Sequence, residues 1–128
     1  MPVWKVYTGK SIEESGIKGA VAGCVDVRDV GRITVWAAAN PEKANGERYI
    51  TSSGYGSAQV IADVLRKAYP ERTDIIAKGT PGEGYLTGYQ YPLSCVYDGS
   101  KAAKATGQDY IPLEKTIVDT AEALKHIV

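Results

Sequence analysis

The chain has 128 residues, and its fifteen basic and fifteen acidic side chains cancel. That length suits one domain of ordinary size and is too short for two cores. With 44% hydrophobic and 23% charged residues the chain is expected to fold, and zero net charge argues against a nucleic-acid binder, which needs a basic face.

A metal centre is excluded by counting. His126 is the sole histidine, and Cys24 and Cys95 are too far apart for one half of a zinc knuckle. No apolar stretch approaches the eighteen or so residues of a membrane span. The opening Met-Pro-Val-Trp-Lys lacks the charged and apolar regions of a signal peptide. Two thiols in a cysteine-poor chain fit a reducing compartment, so a cytoplasmic protein is expected, with neither nucleic acid nor membrane as partner. Nine Tyr and two Trp stand beside no Phe. Tyrosine joins an apolar ring to a polar tip, which suits a half-wet pocket as well as a core.

In chain order, Val3, Trp4, Val6 and Tyr7 predict a short helix or strand closed by Gly9. Residues 11–23 hold three glycines and little periodicity and read as a loop. A short strand ending near Val25 then meets a helix at Asp26, the expected N-cap, with Asp29 in the place of a capping-box acid. Val30, Ile33 and Ala37 mark its apolar stripe, and Asn40-Pro41 stops it. Residues 47–51 have a strand pattern, and a glycine turn leads to Ser57 as the next N-cap. Val60, Ile61, Val64, Leu65 and Ala68 repeat at helical spacing until Tyr69-Pro70.

Residues 74–77 predict a third short strand. Residues 79–97, rich in Gly, Pro and Tyr, form a candidate functional loop. Ser100 is expected to cap a helix over 101–106 that Gly107 closes. Pro112 opens an amphipathic helix whose apolar side is Leu113, Ile117, Thr120 and Leu124. Glu114, Lys115, Asp119, Glu122 and Lys125 take its wet side. The expectation is a helix-rich α/β fold in a single domain, with two or three short strands and about four helices.

Three strings look like chemistry. Gly79-Thr-Pro-Gly82-Glu-Gly84 lacks the Gly-Lys-Ser/Thr of a phosphate loop and reads as a turn. Gly54-Tyr-Gly56-Ser57 lies at a strand-to-helix junction, a capped turn or an anion site. Tyr97-Asp-Gly-Ser-Lys101 has the Tyr-x-x-x-Lys spacing of a catalytic pair. Gly99 and Ser100 put Tyr97 ahead of the helix, so the two do not share a helical face. Asp26, Arg28 and Asp29 cluster at a strand end, where α/β folds place ligand groups. Caps plus an Arg–Asp pair are the favoured account, because a capping acid alone explains both carboxylates. His126 sits in the last turn of the last helix, where it meets the helix carboxyl end.

The ordered runs CVDVRDVGRITVWAAAN, GERYI, GTPGEGY and YDGSKAAKATGQDYIPLEKTIVDTAEAL carry more than any single motif. Together they resemble the carboxyl-terminal, substrate-binding part of the extended short-chain dehydrogenase/reductases, in the NAD-dependent epimerase/dehydratase superfamily. Within that family the sequence resembles the dihydroflavonol reductase-like ketone and aldehyde reductases common in fungi. The resemblance runs from about residue 3 to residue 124 and implies a partial Rossmann-type fold. The family's amino-terminal half supplies its Gly-x-x-Gly-x-x-Gly fingerprint and its catalytic Ser, Tyr and Lys, and this sequence has no counterpart of that half. The family uses NAD(P)H, so the resemblance implies a truncated chain with no cofactor-binding residues, unable to bind NAD(P)H or transfer hydride alone.

By the same resemblance, residues 26–29 and the loop before them line the substrate side. Residues 48–51 would add an edge strand to a sheet this chain lacks, leaving an edge for a second copy, a partner reductase chain or a new packing to cover. Gly31 stands where the family usually has Ala. The leading expectation is a truncated, reductase-like protein of natural-product metabolism that offers a small-molecule substrate surface. One alternative is a cofactor-free isomerase, cyclase or dehydratase, with Asp26, Arg28, Asp29 and Tyr85 as candidate catalytic groups polarising a carbonyl or moving a proton. The other is a non-catalytic partner docking through its exposed sheet edge.

Overall fold

The computed structural model describes residues 2–15, 22–83 and 97–127. In chain order they form α1 (Pro2–Tyr7), α2 (Ile12–Ser15), β1 (Ala22–Cys24), α3 (Val27–Ala39), α4 (Pro41–Ala44), β2 (Gly54–Gly56), α5 (Ala58–Ala68), α6 (Ser100–Thr106) and α7 (Leu113–Leu124). Short 3-10 turns follow α5 (Pro70–Arg72) and α7 (Lys125–Ile127). β1 and β2 pair as a two-stranded sheet. The helix-rich α/β class is as expected, and the helices beyond the expected four are mostly single turns. The chain divides into two compact units, one from Met1–Ala22, Tyr55–Pro92 and Glu114–Val128, the other from Gly23–Gly54 and Leu93–Leu113.

The first unit is organised on α5. Ser57 Oγ accepts the Val60 N–H at 3.3 Å and caps the helix, as its position in sequence predicts. Val60, Ala62 and Leu65 are buried, and α1 and α2 pack against this helix. Pro70, which lacks an N–H, ends it at Ala68. There Tyr7 meets Tyr69 edge to face at 5.4 Å, and the Arg72 guanidinium lies 4.2 Å over the Tyr7 ring. Tyr69 Oη donates to Glu122 Oε1 of α7 at 2.6 Å. Burial, and then the Glu122 carboxylate, push the phenol well above the ordinary tyrosine value. Hydrogen bonds from Lys125 and Tyr69 hold Glu122 below the ordinary carboxylate range.

Two sequence expectations in this unit are corrected. Part of the predicted 11–23 loop is helix α2, started by a reciprocal capping box. Ser11 Oγ accepts the Glu14 N–H at 3.2 Å while Glu14 Oε2 accepts the Ser11 N–H at 3.1 Å. Residues 16–21 of that loop lie outside the described residues. The predicted strand at 74–77 is a turn and coil. Arg66 Nη1 donates to the carbonyls of Thr73 and Ile76, so a side chain takes two acceptors that a ladder would otherwise fill.

The second unit is organised on α3. Its buried side presents Asp29 and Ile33, whereas Val30 of the predicted stripe is 38% exposed. α4 and α6 pack against α3. Trp36 meets Tyr49 edge to face at 5.5 Å, and Tyr49 Oη donates to the Lys43 carbonyl at 3.2 Å. The predicted strand at 47–51 is irregular chain. Its side chains hold it instead: Glu47 accepts from Lys101 Nζ at 2.5 Å, and that ammonium sits 4.8 Å over the Tyr49 ring. Strand pairing falls at β2, beside which Ser53 N donates to the Cys24 carbonyl at 2.8 Å.

Around α6 the cap is also reassigned. Gly99 is the N-cap, and the Asp98 carboxylate accepts both the backbone N–H (2.8 Å) and the hydroxyl (3.1 Å) of Ser100. With its own N–H in an Asx turn and its hydroxyl donated to Asp98, Ser100 sits in the first turn of the helix instead of capping it. Gly107 closes the helix at φ 66°, in the left-handed region glycine favours. α7 begins at Leu113, directly after Pro112 rather than at it.

Two glycines predict opposite effects in urea denaturation of the chain. A Cβ on Gly31 in α3 would meet nothing within 4 Å, so Gly31→Ala is expected to stabilise by about 0.5–1 kcal/mol. A Cβ on Gly99 would lie 2.3 Å from the Ser52 carbonyl oxygen, so Gly99→Ala is expected to destabilise by about 1–3 kcal/mol. A pH series tests the buried phenol. Because the folded-state pKa of Tyr69 is raised, its contribution is complete below the ordinary value of about 10 and is lost as pH rises beyond it. The fall in Tm on going to alkaline pH should be smaller in Tyr69→Phe than in the parent chain.

Candidate functional site

The charged cluster flagged in the sequence forms at the start of α3. β1 delivers the chain to Asp26, whose extended backbone (φ −71°, ψ 137°) leaves its carboxylate over the first turn. Asp26 Oδ1 accepts the Arg28 N–H at 2.9 Å, the expected N-cap. The Arg28 side chain folds back on the same carboxylate. Its Nε donates to Oδ1 at 2.9 Å and its Nη2 to Oδ2 at 2.7 Å. This two-pronged geometry is one a lysine would not make. Asp26 is 3% exposed and the Arg28 side chain 49%.

Asp29 does something the sequence did not show. It does not return to the helix start as a capping-box acid. Its Oδ1 accepts from Arg32 Nη2 at 2.7 Å, and its Oδ2 accepts the backbone N–H of Ile111 at 2.9 Å. Arg32 Nη2 also donates to the Asp109 carbonyl at 2.9 Å. The pair therefore ties α3 to residues 109–111, and Asp29 is 1% exposed. The Asp29–Arg32 spacing of three is a helical ion-pair signal that was readable in sequence. The Ile111 contact, 82 residues away, was not.

The remaining candidates separate. Tyr85, and residues 84–96 of the 79–97 loop, lie outside the described residues. The start of that loop is the expected turn, with the Glu83 N–H bonded to the Thr80 carbonyl at 3.1 Å. It is pinned from α5 by side chains the sequence analysis passed over. Gln59 donates to the Lys78 carbonyl and accepts from Thr80 N, and Asp63 Oδ2 accepts from Gly82 N at 2.7 Å. Tyr97 precedes α6, while Lys101 is engaged by Glu47 and Tyr49. At the Gly54–Ser57 junction, the hydroxyl of Ser57 occupies one amide of the helix amino end. His126 lies exposed in the 3-10 turn after α7.

Several tyrosines act as core and anchor. Tyr7 and Tyr69 meet edge to face in the first unit, Tyr49 meets Trp36 in the same way in the second, and Tyr110 Oη donates to the Gly99 carbonyl at 3.0 Å. Among the described residues no group of three or more His, Cys, Asp or Glu has the arrangement of a metal site. Among the same residues no helix is long and apolar enough to cross a membrane.

The two aspartates predict unequal losses. Asp29→Ala leaves the Ile111 amide without its acceptor and Arg32 without its carboxylate partner and is expected to cost about 3–5 kcal/mol in urea denaturation. Asp26→Asn keeps a capping oxygen and should cost about 1 kcal/mol. Equal losses would show that Asp29 is no more deeply engaged than a helix cap.

No family model matches the sequence. The chain is 31% identical over 111 residues to the NADPH-dependent methylglyoxal reductase of Saccharomyces cerevisiae, covering 87% of this chain and 31% of that protein. It is 33% identical over 106 residues to an oxidoreductase of Schizosaccharomyces pombe, covering 78% of this chain and 27% of that one. Among solved structures, the yeast methylglyoxal/isovaleraldehyde reductase complexed with NADPH superposes with a TM-score of 0.71 at 30% identity, over 84% of this chain and 34% of its own. The related reductase of Candida albicans, also complexed with NADPH, gives 0.72 at 27% identity, over 84% of this chain and 30% of its own. The chain thus spans about a third of the length of the relatives it matches. It is a homologue of these fungal reductases, within the NAD(P)-dependent extended short-chain dehydrogenase/reductases.

Proposed function

We propose that this chain is the substrate-side part of a carbonyl reductase of the fungal methylglyoxal reductase kind, and that by itself it neither binds NAD(P)H nor transfers hydride. The observation that carries this reading is the match itself. Nearly all of this chain superposes on about a third of a reductase whose structure holds NADPH. No Gly-x-x-Gly-x-x-Gly run occurs in the 128 residues. Among the described residues, the strand–glycine–helix passage at Gly54–Ala58 has one amide of its helix end taken by the Ser57 hydroxyl.

Within this reading the cluster at the start of α3 has divided roles. Asp26 and Asp29 are buried and committed to Arg28, Arg32 and backbone amides, so they act as positioning groups. Arg28 alone of the three has an exposed side chain, and Asp26 holds its guanidinium from both prongs. It is the group fitted to meet the oxygen of a small aldehyde or ketone. With both carboxylates occupied, the cofactor-free acid–base reading is the less supported of the two; its remaining phenol candidate, Tyr85, lies outside the described residues. A second copy or a separate reductase chain remains the natural partner, in a cytoplasmic setting that follows from the cysteine usage.

Titration calorimetry of the purified chain with NADPH tests the proposal. The expected result is no binding heat up to millimolar cofactor, together with no NADPH oxidation in the presence of methylglyoxal. Saturable NADPH binding by the 128-residue chain would overturn it.

A further inference from the structure

Two steps in the chain join an acid or its amide to glycine, Asn45-Gly46 and Asp98-Gly99. At such a step the glycine nitrogen can close a five-membered ring on the side-chain carbonyl carbon before it, and with no Cβ it meets the least hindrance. The other asparagine, Asn40, precedes Pro41, which has no N–H to give up. Its Nδ2 is also engaged, donating to the Trp36 carbonyl at 2.8 Å.

The fold treats the two glycine steps differently. Asn45 and Gly46 are both exposed, directly after α4. Gly46 stands at φ 78°, in the left-handed region glycine favours, and a Cβ on it would meet nothing within 4 Å. The amides on either side are engaged, the Asn45 N–H with the Pro41 carbonyl at 2.9 Å and the Glu47 N–H with the Ala44 carbonyl at 3.1 Å. Between them, among the described residues, no hydrogen bond engages the Asn45 side chain, the Asn45 carbonyl or the Gly46 N–H. That peptide is free to turn its nitrogen onto the Asn45 side chain. Gly99, by contrast, is buried at the start of α6, where its carbonyl accepts from Tyr110 Oη at 3.0 Å and from the Ala102 N–H at 3.1 Å. The Asp98 carboxylate is held by the Ser100 N–H and hydroxyl. Ring closure there has to unmake a helix start first.

We propose that Asn45-Gly46 is a self-modification site, at which the folded chain deamidates to isoaspartate, while the fold protects Asp98-Gly99 from the corresponding isomerisation. The Gly46 nitrogen gives up its proton and bonds to Asn45 Cγ, and the Cγ–Nδ2 bond breaks to release ammonia. Water then opens the succinimide. Addition at the main-chain carbonyl carbon leaves the chain running through Cγ as isoaspartate, and addition at Cγ leaves ordinary aspartate. Water is the sole co-reactant, and no electrons are transferred. The product carries an added main-chain carbon and a new carboxylate beside Glu47, within the turn that Tyr49 Oη spans to reach the Lys43 carbonyl at 3.2 Å. An isoaspartyl carboxyl methyltransferase, which uses S-adenosylmethionine, is the class of enzyme that recognises such a residue.

The test ages the full 128-residue chain in mildly alkaline buffer at physiological temperature, folded and, in parallel, unfolded in guanidinium chloride. Isoaspartate is read by enzymatic methyl transfer from labelled S-adenosylmethionine and located by peptide mass mapping. The folded chain is expected to convert residue 45 at a rate within about threefold of the unfolded chain, because an exposed turn opens at almost no cost. Isoaspartate at residue 98 is expected to form at least about tenfold more slowly in the folded chain than in the unfolded one, because the helix start must open first. Asn45→Gln, whose side chain would have to close a larger ring, should remove the label at residue 45. Gly46→Ala should slow it by about tenfold, because a Cβ crowds the attacking nitrogen. A residue 45 that stays an amide in the folded chain while it converts in the unfolded one would overturn the proposal. So would isoaspartate at residue 98 that folding does not slow, or label at residue 45 that neither substitution reduces.

Discussion

The second unit depends on one buried carboxylate. Asp29 is almost fully removed from water, and an isolated charge there would be prohibitive. Each of its oxygens has a donor, one a guanidinium and the other the backbone amide of Ile111. That amide and the Asp109 carbonyl held by Arg32 belong to irregular chain, which has no ladder of its own to satisfy it. Charge, desolvation and a backbone need are thus settled together. The same arrangement makes Asp29 a support for the start of α3.

Side chains do similar work elsewhere because the sheet is so small. Two three-residue strands leave most of the non-helical backbone without strand partners. Arg66 takes carbonyls at Thr73 and Ile76, Gln59 clamps both sides of Gly79, and Tyr110 takes the Gly99 carbonyl. These bonds run from helices or anchored rings to the irregular chain. The tyrosine-rich, phenylalanine-free composition fits this. The hydroxyls of Tyr49, Tyr69 and Tyr110 find acceptors while their rings fill space.

Function follows from what this leaves exposed. The carboxylates at the start of α3 are committed, Arg28 is held but accessible, and the outward side of α3 is apolar. A solvated domain seldom spends a whole helix side on valine, glycine, threonine and alanine.

Local signals were legible in the amino-acid sequence wherever one short stretch decides the outcome. Asp26 and Ser57 as caps, Pro70 as the end of α5 and Gly107 as the end of α6 all depend on neighbours a few residues away. The family resemblance was legible too, because it resides in ordered motifs. The strands expected at 47–51 and 74–77 failed because a strand needs a neighbour, and no local pattern reports whether one is present. Asp29 was read as a cap because its true partner lies 82 residues on. The sequence by itself determined helix caps, helix ends and kinship, since backbone sterics and motif order are local. Tertiary structure alone decided which charges are buried, which tyrosines anchor coil and which side of α3 stays open, since each depends on contacts between residues far apart in the chain.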